Sequence, residues 1–259
     1  MAAITGASAG LGTVFARKLA AGGYDLLLIA RRADRLRQVA EEVSRAHGVE
    51  AQTMTADLSR LDEIDAVAAR LTGEARLALL VNNAGFGTKG RFWETALEDQ
   101  VAMHRVHIDA TMRLTRAALA AMVPRDEGAV INVSSVAAFF RSPANVSYCA
   151  TKAWINAFTE GLRLELAGVG SRVAVQALCP GFTYTEFHDA MGVDRAVVPK
   201  WLWMRAEDVV GESLDALPRR KLFVVPGWQN KLVVAIGTKL PASLRTALQA
   251  RSPHTKSRL

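Results

Sequence analysis

The 259-residue chain reads as α/β: a single doubly wound domain, with a mostly parallel seven-stranded sheet and helices on both faces. Three observations carry that expectation. Short apolar or β-branched runs alternate with stretches of helical periodicity. Several runs are continuously apolar, as strands buried on both faces are. A glycine-rich turn follows the first run directly, at residues 5–12.

The elements follow in order. AAIT (2–5) leads into an expected helix near 11–21, and DLLLIA (25–30) into one near 33–47. EAQTMTA (50–56) leads into a helix near 59–72. LALLVNN (77–83) precedes a long helical region from about 95 to 123, and GAVINVSS (128–135) precedes a helix near 147–167. RVAVQALCP (172–180) and KLFVVP (221–226) supply the last strands. No linker interrupts them, so residues 1–227 read as one domain and 228–259 as a tail; the glycine turn and the residues that follow the strand ends make the first a dinucleotide-binding and catalytic domain of Rossmann type. On such a sheet, ligands bind beyond the carboxyl ends of the strands, and that is where the informative residues fall.

Composition narrows the class. Half of the residues are hydrophobic and 22% are charged, which suits a globular protein. No apolar run approaches the ~18–20 residues that span a bilayer. The N-terminal run enters the glycine turn at once, so no signal peptide is expected. Two cysteines, Cys149 and Cys179, are too few for a disulfide framework and point to a reducing, cytoplasmic setting. Net charge is +7, yet the 44 residues after Asp215 carry +9 and no acid, leaving −2 on the rest. The basic character belongs to the tail.

In TGASAGLG, Gly6, Gly10 and Gly12 stand between strand and helix. Glycine permits a tight turn and close approach of a pyrophosphate, and the helix N-terminus offers free N–H groups. Ser8 can add a hydroxyl donor. The spacing G-x-x-x-G-x-G resembles that of the short-chain dehydrogenase/reductase family, and four later pieces agree in order: NNAG (82–85), a serine at 135, YCATK (148–152) and PGFTYT (180–185). The resemblance implies contacts to a nicotinamide dinucleotide from the glycine loop, Leu11 included, and from Asp57, Leu58, Asn82, Asn83, Ala84 and Gly85. It also implies contacts from Pro180, Gly181, the Phe182 backbone, Thr183 and Thr185. No metal is expected.

The second strand ends at Ala30 and is followed by Arg31 and Arg32. An acid here accepts the ribose 2′-OH of NAD and repels a 2′-phosphate. Two arginines instead offer charge-assisted forks to that phosphate, so the expected cofactor is NADPH/NADP+.

In YCATK, Tyr148 and Lys152 share one helix face. A chance Tyr-x-x-x-Lys arises on the order of once in eleven chains of this composition, so the pair gains weight only with its companions. A phenol near pKa 10 needs roughly 4 kcal/mol of preference for the phenolate to work near neutrality, and a nearby ammonium acts in that direction. Tyr148 is thus the candidate acid–base group, with Lys152 as its helper and as a partner for the nicotinamide ribose. Ser135, thirteen residues earlier, completes the candidate catalytic set by holding the substrate oxygen. Ser134 precedes it, but the family spacing favours Ser135.

One position departs from the family pattern. Register on the long helix places His107 where the family has asparagine. Two readings stand: a proton-relay group, or a partly buried structural histidine. If His107 impairs turnover, the alternative is an NADP(H)-binding sensor or interaction protein with weak catalysis.

Phe139, Phe140, Phe187, Met191, Trp201, Trp203 and Met204 suggest an apolar pocket under a lid-like segment over 186–209. The expected partner is therefore a small hydrophobic carbonyl compound or alcohol, steroid-like or acyl, and the expected assembly a homodimer or homotetramer. In the tail, Leu240, Leu244 and Leu248 recur at helical spacing among basic residues. The tail can pack on its own domain or a sister subunit, or lie on an anionic membrane or over the substrate entrance. Nucleic-acid binding rests on its charge alone and is the weakest option.

Overall fold

The computed structural model describes residues 1–88, 90–187, 198–241, 243 and 247. Seven strands form one sheet: β1 (Ala2–Thr5), β2 (Leu26–Ala30), β3 (Ala51–Thr55), β4 (Leu79–Asn82), β5 (Ala129–Val133), β6 (Ala174–Leu178) and β7 (Phe223–Val224). Their spatial order is β3-β2-β1-β4-β5-β6-β7, and each pair is parallel. Connections run outward in opposite directions from the β1–β4 junction. All carboxyl ends face one edge, and the reversal at β1–β4 opens a crevice there.

Among the described residues the α-helices are α1 (Gly10–Ala21), α2 (Ala33–His47), α3 (Leu61–Thr72), α4 (Leu97–His104), α5 (Thr111–Met122), α6 (Val146–Gly168) and α7 (Ala206–Ala216), which connect strands, and α8 (Trp228–Lys239), which follows β7. Every residue of β1, β2, β4, β5 and β6 is buried, which is why those runs are mostly apolar; Thr5, Asn82, Asn132 and Gln176 are the polar exceptions, and each is hydrogen-bonded inside. Alternate side chains point to opposite faces. Ile4, Leu26 and Leu28 pack beneath Phe15, Leu36 and Val209 of α1, α2 and α7. Ala3, Leu27 and Ile29 pack beneath Ile64 and Leu114 of α3 and α5. Each buried leucine contributes roughly 2 kcal/mol by leaving water. The edge strand β3 is only partly covered, and its sequence AQTMT is accordingly mixed. The expected last strand shrinks to two residues, paired to Ala177 and Leu178.

The expected long helix over 95–123 is not continuous. One π-helical turn, Arg105–Ala110, separates α4 from α5. A π turn inserts an extra residue and re-aims the side chains around it. Here it sends His107 inward, where it is 1% exposed.

The expected boundary at 227 is not a gap in packing. Gln229 and Asn230 of α8 are buried. The Asn230 side chain lies so close to Gly181 that a Cβ there would collide with it, and Gly237 abuts the Phe140 ring in the same way. Leu244 and Leu248 lie outside the described residues.

A polar thread crosses this core. Asn82 Nδ2 donates to Thr115 Oγ1 and to Asn132 Oδ1, and Asn132 Nδ2 donates to Thr159 Oγ1. Removing one member leaves buried groups without a partner. Asn132→Ala is expected to lower unfolding free energy by about 1–3 kcal/mol, read by urea titration.

Candidate active site

The nucleotide cradle forms where β1 and β4 end. Gly6 and Gly10 adopt left-handed φ values of 66° and 54°. A Cβ on Gly6 would stand 2.9 Å from the Ala84 Cα, and one on Gly12 would strike the Gly6 carbonyl oxygen. Asn83 ties the two strand ends together, its Nδ2 donating to the Thr5 and Gly6 carbonyls at 2.9 and 3.3 Å. Thr5 Oγ1 in turn accepts from the Asn83 and Ala84 N–H groups at 2.9 and 3.0 Å. The first turn of α1 carries no acid and no side-chain cap, so its N–H groups remain available to an anion. Glycines without room for a Cβ, beside an uncapped helix start, fit a pyrophosphate.

A cleft of about 720 Å³ runs from this cradle along the carboxyl edge of the sheet. Gly6, Ser8, Gly10 and Leu11 line it, as do Arg31 and Arg32 from the end of β2. Asp57 and Leu58 after β3, then Asn83, Ala84 and Gly85 after β4, form its floor. Ser135, Tyr148 and Lys152 stand at the far end, beside Pro180, Gly181, Thr183 and Thr185. Three expected contacts fall outside it. Gly12 acts in packing under the loop. The Phe182 backbone carbonyl accepts from the Met204 N–H at 2.9 Å, and its ring turns to Trp203. Asn82 belongs to the core thread, because neighbouring strand residues face opposite ways.

Burial raises the Asp57 carboxyl, but hydrogen bonds from the Ser59 N–H and hydroxyl, with Arg31 and Arg60 nearby, outweigh it and hold the group below the usual range. Asp57 is therefore an acceptor at the foot of the cleft. Cleft-lining residues that spacing alone did not mark include Phe86, Ala102 and Val106.

At the catalytic end, Tyr148 and Lys152 lie in the first two turns of α6, with Lys152 Nζ 5.7 Å from the centre of the Tyr148 ring. Lys152 Nζ donates to the Val133 carbonyl at 2.8 Å. Burial of the ammonium lowers the Lys152 pKa from 10.5 to about 7. The two serines separate by role. Ser134 Oγ, buried, donates to the Lys152 carbonyl at 3.0 Å and so fixes α6 to β5. Ser135 Oγ accepts from the Ala137 N–H at 3.1 Å and donates to the Pro180 carbonyl at 3.4 Å; both serines line the cleft. Burial pushes the Cys179 thiol up to about 12, and Cys149 is also buried, so neither is poised as a nucleophile.

His107 does not form a relay. Its Nε2 accepts from the Phe86 N–H at 3.3 Å, so the ring proton sits on Nδ1, which faces Thr151 Oγ1 at 2.8 Å. Thr151 Oγ1 passes the chain on to the Tyr148 carbonyl at 2.9 Å. Burial, then Lys152 and His104, drives the His107 pKa well below its ordinary value. A neutral imidazole with both nitrogens committed is a brace between the Gly85–Phe86 turn and α6.

The aromatic residues expected to line one apolar pocket do not share it. Phe187 faces Tyr148, with ring centres 6.1 Å apart, and lines the cleft. Trp203 is buried against Phe182 and Tyr184, and Phe139 packs on Phe223. Trp201 stacks on Trp228 at the surface. Met191 lies outside the described residues.

The family described as short chain dehydrogenase matches residues 1–195. The 7beta-hydroxysteroid dehydrogenase of Collinsella aerofaciens is 30% identical over 228 residues, 88% of this chain and 86% of that protein. The very-long-chain 3-oxoacyl-CoA reductase of Anas platyrhynchos is 32% identical over 190 residues, 71% of this chain and 60% of that longer protein. A short-chain dehydrogenase from Sphingobium yanoikuyae, solved in complex with NADPH, superposes with a TM-score of 0.83 at 32% identity, covering 96% of this chain and 95% of that one. Another such enzyme, from Burkholderia phymatum, holds NAD and superposes with a TM-score of 0.81 at 27% identity, covering 96% and 94%. The chain belongs to the short-chain dehydrogenase/reductase family. It is an oxidoreductase of that family and takes a nicotinamide dinucleotide.

Lys152 yields a pH-dependent test on the ligand-free protein. Its folded pKa lies below the unfolded one, so between about pH 7 and 10.5 the unfolded chain binds more protons and stability rises with pH. Below pH 7 the penalty is fully present. Lys152→Met is expected to be more stable than the parent by about 2–4 kcal/mol at pH 6, the gap narrowing to about 1 kcal/mol by pH 9.5 in urea titrations.

Proposed function

We propose that the protein is an NADPH-dependent reductase of hydrophobic ketones, steroid-like or acyl in character, or of the corresponding secondary alcohols in reverse. The single observation that carries this reading is the junction of Ser135, Tyr148 and Lys152 at one end of a cleft whose other end holds Arg31 and Arg32. The bound nicotinamide supplies or accepts the hydride. The Ser135 hydroxyl donates to the substrate oxygen and positions it. The Tyr148 hydroxyl donates the proton that the oxygen needs as it becomes an alcohol, and takes it back in the oxidative direction. Lys152, when charged, favours the Tyr148 phenolate left behind.

The apolar wall supports the substrate class. Phe187 faces the Tyr148 ring, and Phe86 faces His107, whose ring is edge-on to Tyr148. The steroid and oxoacyl substrates in the names of the relatives agree with it. The arginines support NADPH over NADH, since neither can accept a hydrogen bond from a ribose hydroxyl. A cytoplasmic homodimer or homotetramer fits the apolar surface left on α4 and α5 at Leu97, Val101 and Met112.

Tyr148→Phe is expected to lower turnover of a ketone panel by about 10³-fold, more than general acid assistance alone accounts for at its low end, while leaving the NADPH dissociation constant within about twofold. Fluorescence titration and steady-state absorbance at the nicotinamide band read the two quantities. If wild-type protein binds NADPH but reduces no ketone of the panel, the sensor reading replaces this one.

The outer face of α8 supports membrane contact as a second surface function. Trp228, Leu232 and Ile236 recur every four residues and are 72%, 51% and 55% exposed. Lys200 and Lys239 lie on the flanking segments, and the chain after Asp215 carries +9. An apolar stripe with cations beside it complements an anionic lipid surface better than a neutral protein face. The protein is expected to sediment with phosphatidylserine vesicles and not with phosphatidylcholine vesicles, and Ile236→Asp is expected to release it. Failure to sediment, with a shift from dimer to monomer in Ile236→Asp, would assign the face to a second copy.

A further inference from the structure

A carboxylate already stands between the arginines of the adenosine end. Glu186 Oε1 accepts from Arg35 Nη1 at 2.8 Å, and Glu186 Oε2 accepts from Arg32 Nη1 at 3.1 Å and Arg35 Nη1 at 3.0 Å. Arg32 is oriented at the same time by Ser8, its Nε reaching Ser8 Oγ and its Nη2 the Ser8 carbonyl, both at 3.3 Å. Ser8, Arg32 and Glu186 all line the cleft. Arg35 lies three residues beyond Arg32 in the first turn of α2, on the same side of the helix. Arg32 and Arg35 keep the Glu186 carboxyl below the usual carboxylate range.

We propose that Glu186 occupies the seat of the 2′-phosphate as an internal counter-ion, so that a 2′-phosphorylated dinucleotide binds by exchanging its phosphate for this carboxylate on Arg32 and Arg35. The proposal rests on the NADPH reading and deepens it. It makes Arg35 a third phosphate reader and Glu186 a specificity-determining residue.

The exchange has a direction set by charge. A phosphate monoester carries about −1.5 to −2 near neutrality and offers three oxygens, against one charge and two oxygens for the carboxylate. It can therefore displace Glu186 from the guanidinium forks. A dinucleotide that lacks the phosphate offers the arginines only a neutral hydroxyl, too weak an acceptor to displace the carboxylate, and leaves Glu186 in place. Both ion pairs are half-exposed, with side-chain exposures of 45–59%, so the internal pairing is weak enough to be broken.

The segment that carries Glu186 also reaches the other end of the cleft. Thr185 faces Gly10, where a Cβ would meet its side chain at 3.3 Å. Phe187 faces the Tyr148 ring at 6.1 Å. Three consecutive residues thus touch the phosphate readers, the glycine loop and the acid–base tyrosine. Release of Glu186 by the phosphate frees the residue next to Phe187, which couples occupation of the adenosine end to the wall of the substrate end.

The test uses the full chain and two fragments that lack the nicotinamide, adenosine 2′,5′-bisphosphate and 5′-AMP, in calorimetric titrations at fixed salt. Glu186→Gln is expected to bind the bisphosphate about 3- to 10-fold tighter and 5′-AMP within about twofold of the parent. Arg35→Ala is expected to weaken the bisphosphate about 10-fold without changing 5′-AMP. Unchanged or weaker bisphosphate binding by Glu186→Gln overturns the exchange. The NADPH reading fails separately, if the parent protein binds the two fragments equally. In that event a preference created by Glu186→Gln still supports the exchange, and equal binding by that variant as well overturns it.

Discussion

A lysine ammonium held inside the protein is the constraint around which the catalytic end is arranged. Lys152 reaches from α6 to the Val133 carbonyl at the end of β5 and is almost wholly removed from water. A buried cation with few partners is expensive, and here the expense appears as a pKa brought down to about 7. Its surroundings hold it in that place. Ser134 fixes the Lys152 backbone to β5, and Thr151 and His107 brace the same turn of α6 from the opposite side. The result is a lysine that cannot relax into solvent without dismantling several hydrogen bonds. It therefore stays 5.7 Å from the centre of the Tyr148 ring.

The nucleotide end depends on a different device with the same purpose. Backbone must approach backbone closely enough to leave room for a pyrophosphate, and glycine alone permits it at Gly6 and Gly12. Asn83 then closes the gap between β1 and β4 with side-chain hydrogen bonds to main-chain carbonyls. Those carbonyls would otherwise end a strand with no partner. The cradle and the catalytic end are thus rigid for separate reasons, and the cleft between them inherits both.

His107 illustrates how a substitution in a family pattern can be absorbed. The position is buried by a π turn, and a neutral imidazole can satisfy one donor and one acceptor there at once. A charged histidine would place a second cation beside Lys152, and burial excludes it. The departure changes the brace while leaving Ser135, Tyr148 and Lys152 along one cleft.

Local pattern decided a large part of this protein. Continuous apolar runs specify buried parallel strands, and the glycine spacing after β1, the paired arginines after β2 and the i, i+4 tyrosine and lysine are readable because each is a short-range relation along one element. Even there, one-residue distinctions needed the fold: Asn82 and Asn83 are neighbours in sequence, but the strand's period of two sends one into the core and the other to the cleft. What only the tertiary structure decided lies at long sequence separation. Glu186 meets Arg32 and Arg35 across about 150 residues, and His107 meets Thr151 across 44. The aromatics expected to share a pocket went to four different places, because the hydrophobicity of a side chain says that it will be covered and not by what.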